Sequence, residues 1–91
     1  MDQILVMWIR IWGSLNTSER KIICSMLNKE KCSWTYLESA NDLSSATLNK
    51  YLKTLRDKGI IDYYNNAYLL TDLMLKRWLE NEKRIYGHYP Y

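Results

Sequence analysis

The residues best suited to do chemistry lie between positions 44 and 58. Drawn at 100° per residue, Ala46, Asn49, Lys50 and Lys53 fall on one side of a helix, flanked by Thr47, Thr54 and Arg56. An Asn side chain can pair bidentately with adenine, an Ala or Thr methyl can meet the thymine methyl, and Lys can reach guanine or phosphate. Ser45 and Thr47 sit near the start of that helix, where hydroxyls and backbone N–H groups can hold phosphate. These types in this order are what a short helix needs to read the major groove of double-stranded DNA. A merely solvated helix face would carry lysines too, so the distribution of charge matters. Residues 44–58 hold Lys50, Lys53, Arg56 and Lys58 against Asp57, a net +3 that equals the formal excess of the whole chain. Residues 32–43 carry Glu38 and Asp42 and no cation. A localised basic helix points to nucleic acid more strongly than a diffuse charge does.

Several elements must position that face. Leu48, Tyr51, Leu52 and Leu55 recur at i, i+3, i+4 and i+7, the inward stripe of a helix. Ser44 stands ahead as its N-cap and Gly59 follows Lys58 as a C′ glycine. Tyr36, Leu37 and Ala40 belong to a shorter helix that stops at Asn41-Asp42, with Asn41 expected to take the left-handed conformation of the turn. Leu43 then packs inward before the Ser44 cap. Helix, a turn of about four residues, helix is the helix-turn-helix arrangement.

The remaining composition narrows the possibilities. Ninety-one residues, 47% of them hydrophobic and four of them Trp, suit one small globular domain. Cys24 and Cys32 lack metal-site spacing, and His88 is the single histidine, so no metal or other cofactor is expected. Cys24 falls on an apolar helix face and reads as a buried thiol, which fits a reducing, cytoplasmic compartment. The apolar run from Ile4 to Ile9 follows Asp2 and ends at Arg10, well short of the roughly 20 residues of a membrane span. No nucleophile has a base and an orienting partner in distinctive context, so an enzyme is not expected.

In chain order, residues 3–13 read as a helix that is apolar almost all round, with Ile4, Trp8, Ile11 and Trp12 at helical spacing. Asn16 or Thr17 caps the next helix, residues 17–29, and Glu19 completes a capping box with Asn16. Cys32-Ser33-Trp34 reads as a very short strand. After Gly59 the pattern turns extended, over residues 60–64 and 67–70, with Asn65-Asn66 suited to a two-residue primed turn. Thr71 is expected to cap a last helix, about 72–86, whose apolar positions are Leu75, Trp78, Leu79 and Tyr86. The short aromatic tail, Gly87-His88-Tyr89-Pro90-Tyr91, is expected to dock on a surface.

With those elements in view, the segment L-S-S-A-T-L-N-K-Y-L-K-T-L-R-D-K-G-I-I-D and the hairpin ending Y-L-L-T-D resemble the winged helix-turn-helix family over about residues 17–71. The resemblance implies a mainly α fold with a small β-hairpin, a winged helix-turn-helix core with extra N- and C-terminal helices, and a second motif helix that enters the major groove. Y-L-L-T-D-L-M-L-K-R-W-L-E with Y-G-H-Y-P-Y is similar to the C-terminal winged-helix domains of archaeal AAA-type ATPases. The chain holds no G-x-x-x-x-G-K-[ST] phosphate loop, so it would be a detached domain or relative of such a protein. DNA-binding wings commonly carry Arg or Lys at the tip, whereas this hairpin carries Asn65 and Asn66 beside Asp62.

The expected function is therefore double-stranded DNA binding, as a transcription regulator or as the DNA-binding end of a larger ATPase-like protein. A protein-interaction module on the same scaffold stays open. The expected DNA contacts are Ser45, Ala46, Thr47, Asn49, Lys50, Lys53 and Thr54. The terminal helices are expected to meet a second copy, or the rest of a larger chain, through Ile4, Trp8, Ile11, Trp12, Leu75, Trp78 and Leu79. A two-fold dimer would set two recognition helices about 34 Å apart, one DNA turn.

Overall fold

A computed structural model describes residues 10–90. Residues 10–14 are helical and lead into five named helices and strands plus one more helix: α1 (Thr17–Met26), α2 (Trp34–Asn41), α3 (Ser45–Asp57), β1 (Ile61–Tyr64), β2 (Ala67–Leu70) and α4 (Leu73–Tyr86). Most of the helix expected over 3–13, including Ile4 and Trp8, lies outside the described residues.

Each helix begins where a side chain can accept an orphan backbone N–H. Asn16 Oδ1 accepts from Glu19 N–H at 2.8 Å, and Glu19 Oε1 accepts from Asn16 N–H at 3.0 Å, the reciprocal box expected at α1. That helix ends at Met26, sooner than the expected 29, and turns through Leu27. Ser33 caps α2, which limits the expected strand at 32–34 to one bridge, Cys32 with Tyr68. The α2–α3 turn also differs from expectation. Asn41 remains helical, and its Nδ2 donates to Leu37 O at 2.9 Å and Ser25 Oγ at 3.1 Å. With Asn41 held there, the left-handed residue is Asp42, at φ 51°. Asp tolerates that conformation much as Asn does.

Ser44 caps α3 as expected, accepting from Thr47 N–H at 3.3 Å. Its C-terminus closes with two bonds, Gly59 N–H to Arg56 O at 2.9 Å and Ile60 N–H to Leu55 O at 3.1 Å. Those are the two bonds of a Schellman motif, and they require the positive φ of Gly59, 74°. Leu55 and Ile60 are both buried there, so the motif also turns the chain back into the core.

The two strands pair antiparallel, Ile61 with Leu70 through Tyr64 with Ala67. Asn65 and Asn66 both have positive φ, as the primed turn demands. Asp72, not Thr71, caps α4, with Oδ1 accepting from Leu75 N–H at 3.1 Å. Thr71 instead donates its hydroxyl to Gly59 O and Ile60 O at 3.0 and 3.1 Å, which ties the base of the hairpin to the end of α3.

The core gathers Ile22 and Ile23 of α1, Leu37 of α2, Leu48, Leu52 and Leu55 of α3, and Leu75 and Leu79 of α4. Trp12 joins them at 5% exposure, edge-on to Trp78 with ring centroids 6.1 Å apart. Its indole N–H donates to Pro90 O, and Lys83 Nζ lies 4.9 Å from the centre of the Tyr89 ring, so the tail docks as expected up to Pro90, and Tyr91 lies outside the described residues. This packing corrects the expected partner surface. Leu75 and Leu79 are fully covered by their own chain and Trp12 almost so, which leaves them next to no apolar area for a second one. Ile11 and Trp78 keep part of theirs. Tyr86, expected on the inward stripe, keeps nearly the azimuth of Leu79, seven residues earlier, yet it is 65% exposed at the last residue of α4.

Leu75→Ala should cost about 2–5 kcal/mol of stability, the usual range for a fully buried Leu. Denaturant unfolding at several protein concentrations checks this. The loss should be the same at each concentration, since Leu75 serves the core and not an association surface.

Candidate nucleic-acid interface

α3 holds its outer face by burying the opposite one. Leu48, Leu52 and Leu55 are buried, which leaves Ser45, Ala46, Asn49, Lys50 and Lys53 exposed and Thr47 and Thr54 half-buried at the edges. The sequence-derived contact residues thus share one surface. The angle of that surface is set by bonds between α1 and α2. Tyr36 donates its hydroxyl to Ser25 O at 2.9 Å, next to the bond from Asn41 to Ser25 Oγ. With α2 fixed to α1 and one short turn between α2 and α3, α3 has little freedom to tilt.

The hydroxyls on this face already have partners. Ser44 Oγ donates to Thr47 Oγ1 at 2.8 Å, which leaves the Thr47 hydroxyl proton available to an outside acceptor. Thr54 donates to Lys50 O at 3.0 Å, so it faces its own helix and offers an outside ligand mainly its methyl group. Ser45 donates to Glu38 Oε2 at 3.2 Å. A carboxylate beside the N-terminus of α3 opposes an incoming phosphate, which competes for the same positive end of the helix.

Arg56, which the sequence places at the flank of this face, sets its guanidinium 5.8 Å from the centre of the Tyr63 ring and links the end of α3 to the hairpin. Two residues of this surface were not expected from the sequence to act on it. Glu38, beside Ser45, is one. Trp34 is the other, and its indole N–H donates to Asn49 Oδ1 at 2.8 Å. Trp34 and Asn49 lie fifteen positions apart, beyond any helical periodicity, so only the packing of α2 across α3 reveals the pair.

The hairpin adds an aromatic edge beside the exposed Asp62. Tyr63 and Tyr68 pack as a tilted pair across the strands with centroids 4.6 Å apart, and Tyr63 donates its hydroxyl to Asn66 Oδ1 at 3.3 Å. Tyr64, Asn65 and Asn66 are exposed at the tip. Burial pushes the Tyr68 phenol above its ordinary pKa; the nearby Tyr63 adds to the rise and Arg56 opposes it. Burial likewise raises the Cys32 thiol, against a smaller opposing effect of Lys29, which keeps it protonated and unreactive at neutral pH. Among the described residues there is no group of three or more His, Cys, Asp or Glu side chains that could hold a metal ion, and no helix long and apolar enough to cross a membrane.

The arrangement is a cationic helix face with one exposed amide, acidic at its N-terminal margin and aromatic at the other. It can bind a polyanion and hydrogen-bond to groups carried on it. The family model described as winged helix-turn-helix matches residues 17–81. Comparison with curated proteins, and with solved structures, finds no significant match.

Glu38→Gln should tighten the binding of duplex DNA roughly two- to fivefold at low salt, from removal of one carboxylate at a helix N-terminus. Ser45 keeps an acceptor in this variant, so α3 keeps its place. Fluorescence anisotropy across a salt series checks the effect, which should shrink as salt screens the removed charge.

Proposed function

The chain belongs to the winged helix-turn-helix family, and on that premise we propose that it binds double-stranded DNA by laying α3 in the major groove. The observation that carries this reading is the split of α3. One face is anchored by Leu48, Leu52 and Leu55, and the other presents Ala46, Asn49, Lys50 and Lys53 outward, with the chain's whole excess of positive charge on the helix and its caps, residues 44–58. Asn49 reads a base edge, Ala46 and Thr47 approach the groove floor, and Lys50 and Lys53 contact phosphate or guanine. Ser45 lies at the phosphate side of the helix N-terminus. Such a chain acts as a transcription regulator or as the DNA-binding end of a larger ATPase-like protein; the contact surface is the same in both. A DNA partner fits a chain that works inside the cell, in the cytoplasm on this reading, and this mode of binding invokes no cofactor and no catalytic step.

A second copy, or the remainder of a larger chain, covers part of the apolar surface that α4 leaves open. Leu73, Met74, Ile85 and Tyr86 are exposed on that helix, and Ile11 and Trp78 are half-exposed nearby in the packing. This surface replaces the one expected from Trp12, Leu75 and Leu79. A protein-interaction role draws on the same residues, and salt separates it from DNA binding, since apolar contacts do not weaken with salt as phosphate contacts do.

Lys50→Ala combined with Lys53→Ala should weaken binding to all duplex sequences and reduce the slope of log K against log salt by up to about two units. Unchanged binding would show that the basic face is only solvated. Light scattering at tens of micromolar should give the mass of a dimer, and Ile85→Glu with Tyr86→Glu should return a folded monomer. A monomeric unmodified chain would remove the dimer and leave the larger-chain alternative.

A further inference from the structure

The bond between Trp34 and Asn49 decides what Asn49 can say to a base. An indole N–H only donates, so its partner must be the amide oxygen, and the 2.8 Å contact fixes which end of the Asn49 amide faces Trp34. Oδ1 is turned toward α2. Nδ2, with its two N–H groups, makes no hydrogen bond among the described residues, on a side chain that is exposed.

An unconstrained Asn suits adenine, donating to N7 while its oxygen accepts from N6. The pinned amide is ill suited to that pairing, because the oxygen is already engaged and its plane is set by Trp34. Guanine presents only acceptors at the same edge, N7 and O6, which a pair of outward N–H groups satisfies without the oxygen. We infer that Trp34 is a positioning residue that makes Asn49 a hydrogen-bond donor and biases the base it meets toward guanine over adenine. The second lone pair of Oδ1 makes this a preference and not an exclusion. The inference rests on the reading in which α3 enters the major groove, and it reverses the adenine contact that the bare sequence suggests.

The half-buried position of Trp34 supports this role. Its ring packs at the edge of the core, so the N–H is held in place by the fold and not by the DNA. Ordering the Asn49 amide before binding also lowers the entropy lost when the contact forms.

Selection of binding sites from a randomised duplex library tests the inference, using the full chain. The unmodified chain should show a guanine at one position, and Asn49→Ala should flatten the preference there alone. Trp34→Phe keeps a ring in the core edge but removes the donor. It should move that same position toward adenine by roughly five- to tenfold, within the discrimination of one base-edge contact, and leave other positions and the salt slope unchanged. A purely structural role for Trp34 would weaken all sequences alike. Should Trp34→Phe fold poorly by circular dichroism, Asn49→Asp serves instead. The carboxylate still accepts from Trp34 but cannot donate, and preference should pass from guanine to cytosine, whose N4 amino group is a donor. Adenine at the Asn49-dependent position of the unmodified chain would overturn the inference, as would a profile that neither Trp34→Phe nor Asn49→Asp shifts. In either case retained duplex binding would leave the major-groove reading standing. Absence of binding to any duplex would overturn both.

Discussion

Burial of three leucines on α3 is the constraint on which the rest of the molecule depends. Leu48, Leu52 and Leu55 are at most 2% exposed, and together they fix both the depth and the rotation of the helix. A side chain one position away from a leucine is rotated by about 100°, so burying one face commits the opposite one to solvent. The cations of α3 therefore stay outside because the apolar stripe leaves them nowhere else to go. The Schellman closure at Gly59 extends the same logic. It ends the helix after its last buried leucine and sends Ile60 inward, so the hairpin starts beside α3 and not away from it.

The surface around α3 is assembled from three separate connections to its neighbours. The turn through Asp42 sets where α3 begins, the bonds of Tyr36 and Asn41 to Ser25 set the tilt of α2, and Arg56 over Tyr63 joins the end of α3 to the hairpin. Each is short-range, and two of them use neutral groups. Such connections hold their geometry when salt or pH changes, unlike surface ion pairs, whose contribution is small and screened. A face meant for a strong polyanion would gain from such a frame, in which the Arg56–Tyr63 contact is the connection that uses an exposed charge.

How much of this was legible in the sequence follows from the range of each signal. The α1 capping box, the Ser44 cap, Gly59 and the Asn65-Asn66 turn depend on residues at most a few positions apart, and all four have the geometry their residue types require. The cap of α4 moved from Thr71 to Asp72 because the Thr71 hydroxyl is taken by the carbonyls of Gly59 and Ile60, a tertiary contact that local pattern does not contain. The left-handed residue moved from Asn41 to Asp42 for the same kind of reason, a bond to Ser25 on another helix. The outer face of α3 was readable from periodicity, while the Trp34–Asn49 and Glu38–Ser45 pairs were not, since they join two helices. The apolar terminal helices misled in one respect. Their hydrophobicity implied a partner, yet Trp12, Leu75 and Leu79 are satisfied by packing against their own chain. Periodicity shows that a residue will be buried, but it does not show by what.

The modest charge of α3 bears on the relation between DNA binding and association. With Lys50, Lys53 and Arg56 on the helix and Lys58 at its C-cap, one copy could neutralise at most about four phosphates, and each contributes a little under one unit of salt slope. The carboxylate of Glu38 at its N-terminal margin lowers that further. Phosphate contact alone would then give one copy weak, indiscriminate binding at physiological salt. Two copies joined by a protein contact change this, since the second helix binds at the effective concentration set by the first. The same holds if the helix is one reading head of a longer chain. The exposed apolar residues of α4 supply the kind of surface such a linkage needs, and they lie on an element other than α3. Weak contact per copy, a directed amide and an external apolar surface are then mutually consistent. On the proposed reading, low intrinsic affinity would keep a single copy from settling on arbitrary DNA, and association would restore affinity where two correctly spaced sites are present.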